Sequence, residues 1–143
     1  MPPMVLFLLL GVGSVLTWWR PVDLLPTAVS VSVGTLLVVA AVGLFLWATR
    51  LMTQADTGIP PTEPTTAIIE DGPFGWSRNP IYVAMLLLMV GIGTLVDGPW
   101  FVGLAALFLG LLQWGVVSRE EAYLTQKFGQ PYVDYCSRVR RWL

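Results

Sequence analysis

Residues 81–117 read IYVAMLLLMVGIGTLVDGPWFVGLAALFLGLLQWGVV, with a single charged side chain, Asp97. Two apolar runs, Ile81–Val96 and Trp100–Val117, flank the tripeptide Asp97-Gly98-Pro99. Such a tripeptide turns the chain sharply, so the two runs should pack as an antiparallel helical hairpin. Two more apolar stretches lie upstream. Met4–Trp19 is closed by Arg20-Pro21, and Ala28–Ala48 is closed by Arg50. The first and third stretches are near the short limit for a membrane span, roughly 17 residues. The first lacks the basic leader and small-residue cleavage site of a signal peptide, so it reads as a retained helix.

Composition agrees with a lipid surrounding. Of 143 residues, 55% are hydrophobic and 12% charged, and the mean hydropathy is +0.70. A soluble domain usually carries about twice that charge fraction. The net charge of −1 argues against a nucleic-acid partner, which needs a basic face. There is no histidine, which removes the commonest general base and metal ligand. No metal site is expected. The one cysteine, Cys136, excludes an internal disulfide and a cysteine metal cluster. The expected fold is an all-α integral membrane bundle of about four transmembrane helices with a C-terminal amphipathic helical segment. It forms one membrane domain over 1–143: a helical pair (1–50), a loop (51–80), and the hairpin with the C-terminal helices (81–143).

Charge sets the orientation. With the N-terminus cytoplasmic, one of the eight lysines and arginines, Arg20, falls outside; the other seven fall inside. Positive charge is retained on the cytoplasmic side. Both termini and the loop up to residue 80 are therefore expected there, on a multi-pass protein of the cell (inner) membrane.

The hairpin then brings two polar stretches to one membrane face. GPFGWSRNP (72–80) precedes the third span, and SREEAYL (118–124) follows the fourth. Arg78 and Asn79 should meet Arg119, Glu120 and Glu121. Singly, each reads more readily as a snorkelling or solvated charge; the grouping makes a polar mouth above an apolar cleft. Neighbours on a helix point about 100° apart, so one glutamate would face a ligand while the other pairs with Arg78 or Arg119. Gly91-Ile92-Gly93 sits within the third span. Glycine there reads first as close helix packing, with Gly103 or Gly110 as partners, and second as room for a ligand.

The loop TGIPPTEPTTAIIEDGPF (57–74) is too long for a simple connector. It is a lid or a tether, with Ile68-Ile69 suited to docking on the membrane. Helix should continue to about Phe128, break at Gly129-Gln130-Pro131, and resume. Tyr132, Tyr135, Val139 and Trp142 recur at helical spacing, with Arg138, Arg140 and Arg141 largely off that stripe. This pattern suits an amphipathic helix lying on anionic headgroups.

Taken in order, GPFGWSRNPIY, GIG and REEAYLTQKFGQPYVDY resemble the isoprenylcysteine carboxyl methyltransferase and phospholipid methyltransferase superfamily, over about residues 57–142. The resemblance implies an integral-membrane enzyme using S-adenosylmethionine, held between the last two spans and the C-terminal segment. Arg78, Asn79, Pro80 and Tyr82 match an Arg-His-Pro-x-Tyr element, and Gly91 and Gly93 match a Gly-x-Gly element. Glu120 and Glu121 match paired glutamates, and Tyr132 and Tyr135 match aromatic positions. The implied catalytic residues are Arg78, Asn79 and Tyr82. The implied cofactor-binding residues are Asn79, Pro80, Tyr82, Gly91, Gly93, Glu120, Glu121, Tyr132 and Tyr135. Asn79 replaces the histidine of the prenyl-protein enzymes; it hydrogen-bonds but does not titrate, so it is no general base.

Methyl transfer from a sulfonium is an in-line displacement whose leaving group needs no proton, so alignment and exclusion of water suffice. The expected acceptor is lipophilic or amphiphilic, an isoprenoid carboxylate or thiol or a phospholipid amine, entering from the bilayer. The alternative is a non-catalytic small membrane protein, a structural partner or transporter subunit. A transporter would place an ionisable group near mid-membrane, whereas these charges sit at span ends.

Overall fold

A computed structural model of the chain describes residues 2–22, 24–55 and 67–143. Six α-helices follow one another among these residues: α1 (Pro2–Trp19), α2 (Thr27–Gln54), α3 (Pro80–Leu95), α4 (Trp100–Leu112), α5 (Ser118–Phe128) and α6 (Gln130–Arg138). A short 3₁₀ turn, Gly72–Gly75, precedes α3, and a π turn, Gln113–Val117, joins α4 to α5 without a break. No strand occurs among the described residues, and the all-α expectation holds.

Proline punctuates the helix starts. Pro80 opens α3 and Pro131 lies in the first turn of α6, where a missing N–H costs nothing. Gly129, at φ 62°, breaks α5 from α6; this left-handed geometry suits glycine. The break is one residue long, and helix resumes at Gln130.

Among the described residues, three helices are long and apolar enough to cross a membrane: Pro2–Trp19, Thr27–Gln54 and the continuous Trp100–Phe128. The expected fourth, α3, has 16 residues, or about 24 Å at 1.5 Å per residue, against a hydrocarbon core of about 30 Å. Three of the expected spans are thus supported by length and composition, while the fourth, α3, is a shorter apolar helix for which a full crossing is not established. The helices expose large apolar side chains such as Phe7, Leu36, Leu46 and Val102, as a lipid-facing surface does. The Ser14, Thr17, Thr49, Thr53 and Thr94 hydroxyls donate to carbonyls four residues back. Each polar group is thereby satisfied within its own helix.

The tightest helix pair is α2 with α3. The buried residues of α2 are all small: Ser30, Gly34, Ala41 and Ala48. A Cβ on Gly34 would lie 2.6 Å from the Leu95 backbone nitrogen, and one on Gly91 would lie 3.0 Å from that of Val38. Lipid tails are as apolar as leucine, so close backbone approach, not water exclusion, drives this pairing. The packing role of Gly91-Ile92-Gly93 is therefore observed with other partners than expected. Gly91 faces Leu37 and Val38 of α2, and Gly93 faces Phe101 of α4. A Cβ on Gly103 would meet nothing within 4 Å. The Phe101 ring is also overlain by Gly13 of α1. Around it Leu6, Leu9, Tyr82, Met85, Met89, Phe108 and Leu112 form the main core.

These contacts fix the directions. Gly13 and Thr17 near the end of α1 meet Phe101 and Gly98 at the start of α4, and Gly34 near the start of α2 meets Leu95 at the end of α3. Each pair is antiparallel. The start of α1, the end of α2, the start of α3 and all of α5 and α6 share one end of the bundle. At the other end, the Asp97 carboxylate accepts the N–H groups of Leu24 and Leu25 at 2.6 and 3.0 Å, tying the α1–α2 loop to the hairpin turn.

Candidate active site

At the shared end, the segment before α3 meets α5, α6 and residues 139–143. The buried face of α4 runs through Phe101, Ala105, Phe108 and Leu112. In an uninterrupted α-helix that face would continue through positions 115 or 116 and then Arg119. The π turn adds one residue, so Val117 takes the buried place, Glu120 and Glu121 follow it inward, and Arg119 is exposed. The Gln113 carbonyl accepts both the Ser118 N–H and the Ser118 hydroxyl, the latter at 2.7 Å. π turns of this kind cluster at functional sites.

The two glutamates then divide. Glu120 Oε1 accepts the Tyr82 hydroxyl at 3.0 Å, and Oε2 has no hydrogen-bond partner among the described residues. Glu121 lies 3.2 Å from Arg78 Nη1 and takes both arms of Arg141, at 2.9 and 2.6 Å. The Arg78 and Glu121 side chains are 13% and 16% exposed, the Arg141 side chain 40%. The hydrogen bonds to Glu121 hold the Arg141 pKa above its ordinary value. Arg78 also donates to Cys136 Sγ. Its Nε is buried without an acceptor among the described residues, a costly state for a charged group unless something else binds there. Asn79 donates through Nδ2 to the Arg141 carbonyl at 2.9 Å, and its N–H reaches the hydroxyl of buried Ser77.

Tyr132 and Tyr135 face inward, packed with Val139 against Ile68, Leu124, Phe128 and Cys136. The Tyr135 hydroxyl donates to the Phe74 carbonyl at 2.8 Å. Burial raises both phenol pKa values, so the rings stay protonated. The expected surface-lying stripe is corrected here, because its aromatic face closes on protein. Ile68, expected on the membrane, packs on these tyrosines, and Glu70 pairs with Arg138 at 2.8 Å. Residues 56–66 of the loop lie outside the described residues.

Among the sequence-derived site residues, Arg78, Asn79, Pro80, Tyr82, Glu120, Glu121, Tyr132 and Tyr135 come together at this end. Gly91 and Gly93 do not; they lie about 16–20 Å up α3 from Pro80, at 1.5 Å per residue, filled by helix packing. Arg141, Ser77, Cys136, Gln113 and Trp142 also belong to the cluster, although none of them is among the residues that the sequence points to as site residues. Gln113 carries a legible signal as the one polar side chain in Trp100–Val117.

The arrangement offers an acid with a spare oxygen, a guanidinium with a spare donor, and an amide, side by side over an apolar helix pair. A family model described as phospholipid methyltransferase matches residues 29–131. The match starts within α2 rather than at residue 57, and takes in the Arg78–Tyr82 element and both glutamates. No curated protein and no solved structure matches the chain. With well over half of its length matched, the chain belongs to the phospholipid methyltransferase family.

Proposed function

We infer that the protein is an S-adenosylmethionine-dependent methyltransferase acting on a lipophilic or amphiphilic acceptor at the cytoplasmic membrane face. The observation that carries this reading is the family match over residues 29–131. The donor set supports it. S-adenosylmethionine supplies a methyl group on a sulfonium. It brings ribose hydroxyls and an amine that need acceptors, and a carboxylate that needs a donor. Glu120 Oε2 is such an acceptor, and Arg78 Nε, buried without a partner among the described residues, is such a donor. Asn79 and Tyr82 line the same mouth.

The residues chiefly orient and desolvate, and a proton moves only where the acceptor is a neutral amine. Glu121, neutralised by two guanidiniums, organises Arg78. A carboxylate or thiolate acceptor needs no base. A neutral amine must lose a proton, and Glu120, without an arginine partner, is the carboxylate suited to take it. The bias of seven lysines and arginines to one supports the cytoplasmic placement of both termini. The apolar hairpin supports lateral entry of the acceptor.

Two measurements test the reading. Calorimetry on detergent-purified protein should detect S-adenosylmethionine binding, weakened about ten- to a hundredfold by Glu120→Gln, as for loss of a charged hydrogen bond. Labelled methyl should pass into an organic-soluble product when lipid extract is added, and the rate should fall as inert lipid dilutes the acceptor. Absence of binding by the wild type, or activity set by a water-soluble acceptor alone, would overturn it.

A further inference from the structure

Residues 139–143 lie beyond the end of the family match at Pro131, yet they bond to Arg78, Asn79 and Glu121 of the polar cluster. After α6 the chain turns extended at Val139, φ −116°, ψ 132°. The Arg140 carbonyl accepts the Arg78 N–H at 2.9 Å. The Arg141 carbonyl accepts the Asn79 side-chain amide at 2.9 Å, and the Arg141 guanidinium clasps Glu121 with two bonds. Trp142 packs on the main core, and its indole N–H donates to Gln113 Oε1 at 2.9 Å. Gln113 is also the first residue of the π turn that aims the glutamates, and its carbonyl is held by Ser118.

We propose that residues 139–143 form a strap that completes the cofactor site, with the Trp142–Gln113 hydrogen bond as its anchor and both residues acting as positioning residues. The physical case rests on connectivity. Residues 139–143 have no helical hydrogen-bond ladder of their own to hold them, and here Trp142 is tied, half-buried against the main core, where an indole N–H or amide left unpaired is unfavourable. Holding Trp142 holds the two preceding carbonyls in place. Those carbonyls fix the main chain of Arg78 and the amide plane of Asn79, while Arg141 fixes Glu121. One bond at the far end thus sets three members of the cluster. The role in cofactor binding rests on the function proposed above; the anchoring does not.

The test separates the two. Trp142→Phe keeps the ring and removes the N–H; Gln113→Leu removes the acceptor. Amide hydrogen exchange reads the anchor directly, with no ligand present. Exchange at the Arg78 N–H should quicken about three- to tenfold in either variant, the size of one lost hydrogen bond. Affinity for S-adenosylhomocysteine should fall about three- to tenfold in each. The double variant should be no weaker than the weaker single one, because one bond is lost in all three. Unchanged Arg78 exchange in both variants would overturn the anchor. Additive losses would show that the two residues act separately and would overturn the pairing. If the wild type binds no S-adenosylhomocysteine while Arg78 exchange responds as expected, the anchor stands, and the proposed function and the strap's place in it fall.

Discussion

Glu121→Gln is the sharpest perturbation of the polar cluster, because one carboxylate serves two arginines of unequal burial. Arg78 and Glu121 are 13% and 16% exposed. Removing one partner of a well-buried pair costs about 3–5 kcal/mol, chiefly by stranding the other charge. Arg141 is 40% exposed, so its share falls within the roughly 0–1 kcal/mol of surface pairs. The glutamine oxygen restores a neutral hydrogen bond of about 1 kcal/mol. The expected net loss is about 2–5 kcal/mol. Arg141→Gln, which leaves the Arg78 pair intact, should cost less than about 1 kcal/mol. Adding Arg78→Met to Glu121→Gln should recover stability, since the stranded charge is gone. The assay is reversible unfolding in mixed micelles followed by circular dichroism, with all four proteins in one detergent. If Glu121→Gln costs no more than Arg141→Gln, or if Arg78→Met restores nothing, the pair does not organise the cluster as argued.

Gly34→Leu should abolish monodisperse folded protein on size exclusion, since even its Cβ meets the Leu95 backbone at 2.6 Å; Gly43→Leu, with nothing within 4 Å, should behave as wild type. Asp97→Ala should lower stability by about 2 kcal/mol, from two lost hydrogen bonds at an exposed site and an alanine forced to positive φ. Asp97→Asn, which tolerates that φ and keeps an acceptor, should cost less than half as much in the same unfolding assay. Burial raises the pKa values of Tyr132 and Tyr135 in the folded protein. Above the ordinary phenol pKa, about 10, the unfolded chain releases protons that the folded one keeps. The stability from these groups is complete below pH 10 and should be lost as pH rises beyond it. A Tyr132→Phe, Tyr135→Phe double variant should show a shallower alkaline decline in its melting curve.

Much of the architecture is a local property and is legible in the chain. Long apolar runs can satisfy their backbone only as helices in lipid, and Asp97-Gly98-Pro99 can only reverse direction. Those two facts bring the Arg78–Tyr82 element and the Glu120-Glu121 pair to one end of the bundle. The fourth expected span is the one that length does not establish, because helix α3 starts at Pro80 and stops at Leu95, at the lower edge of what composition alone distinguishes. The surface-lying C-terminal stripe is replaced by inward packing because an amphipathic face records only that it is apolar, not whether lipid or protein covers it.

What the tertiary structure alone decides has a common cause. Which helix lies against Gly91 depends on α2 approaching from more than fifty residues away, and small residues fit many partners. Which acid faces Tyr82 and which faces Arg78 depends on one extra residue in the Gln113–Val117 turn. That change in backbone hydrogen bonding rotates everything after it and has no signature in composition. The strap is held to Arg78 and Asn79 through the carbonyls of Arg140 and Arg141. Every residue has a carbonyl, so only the folded path of the chain determines which ones form a site.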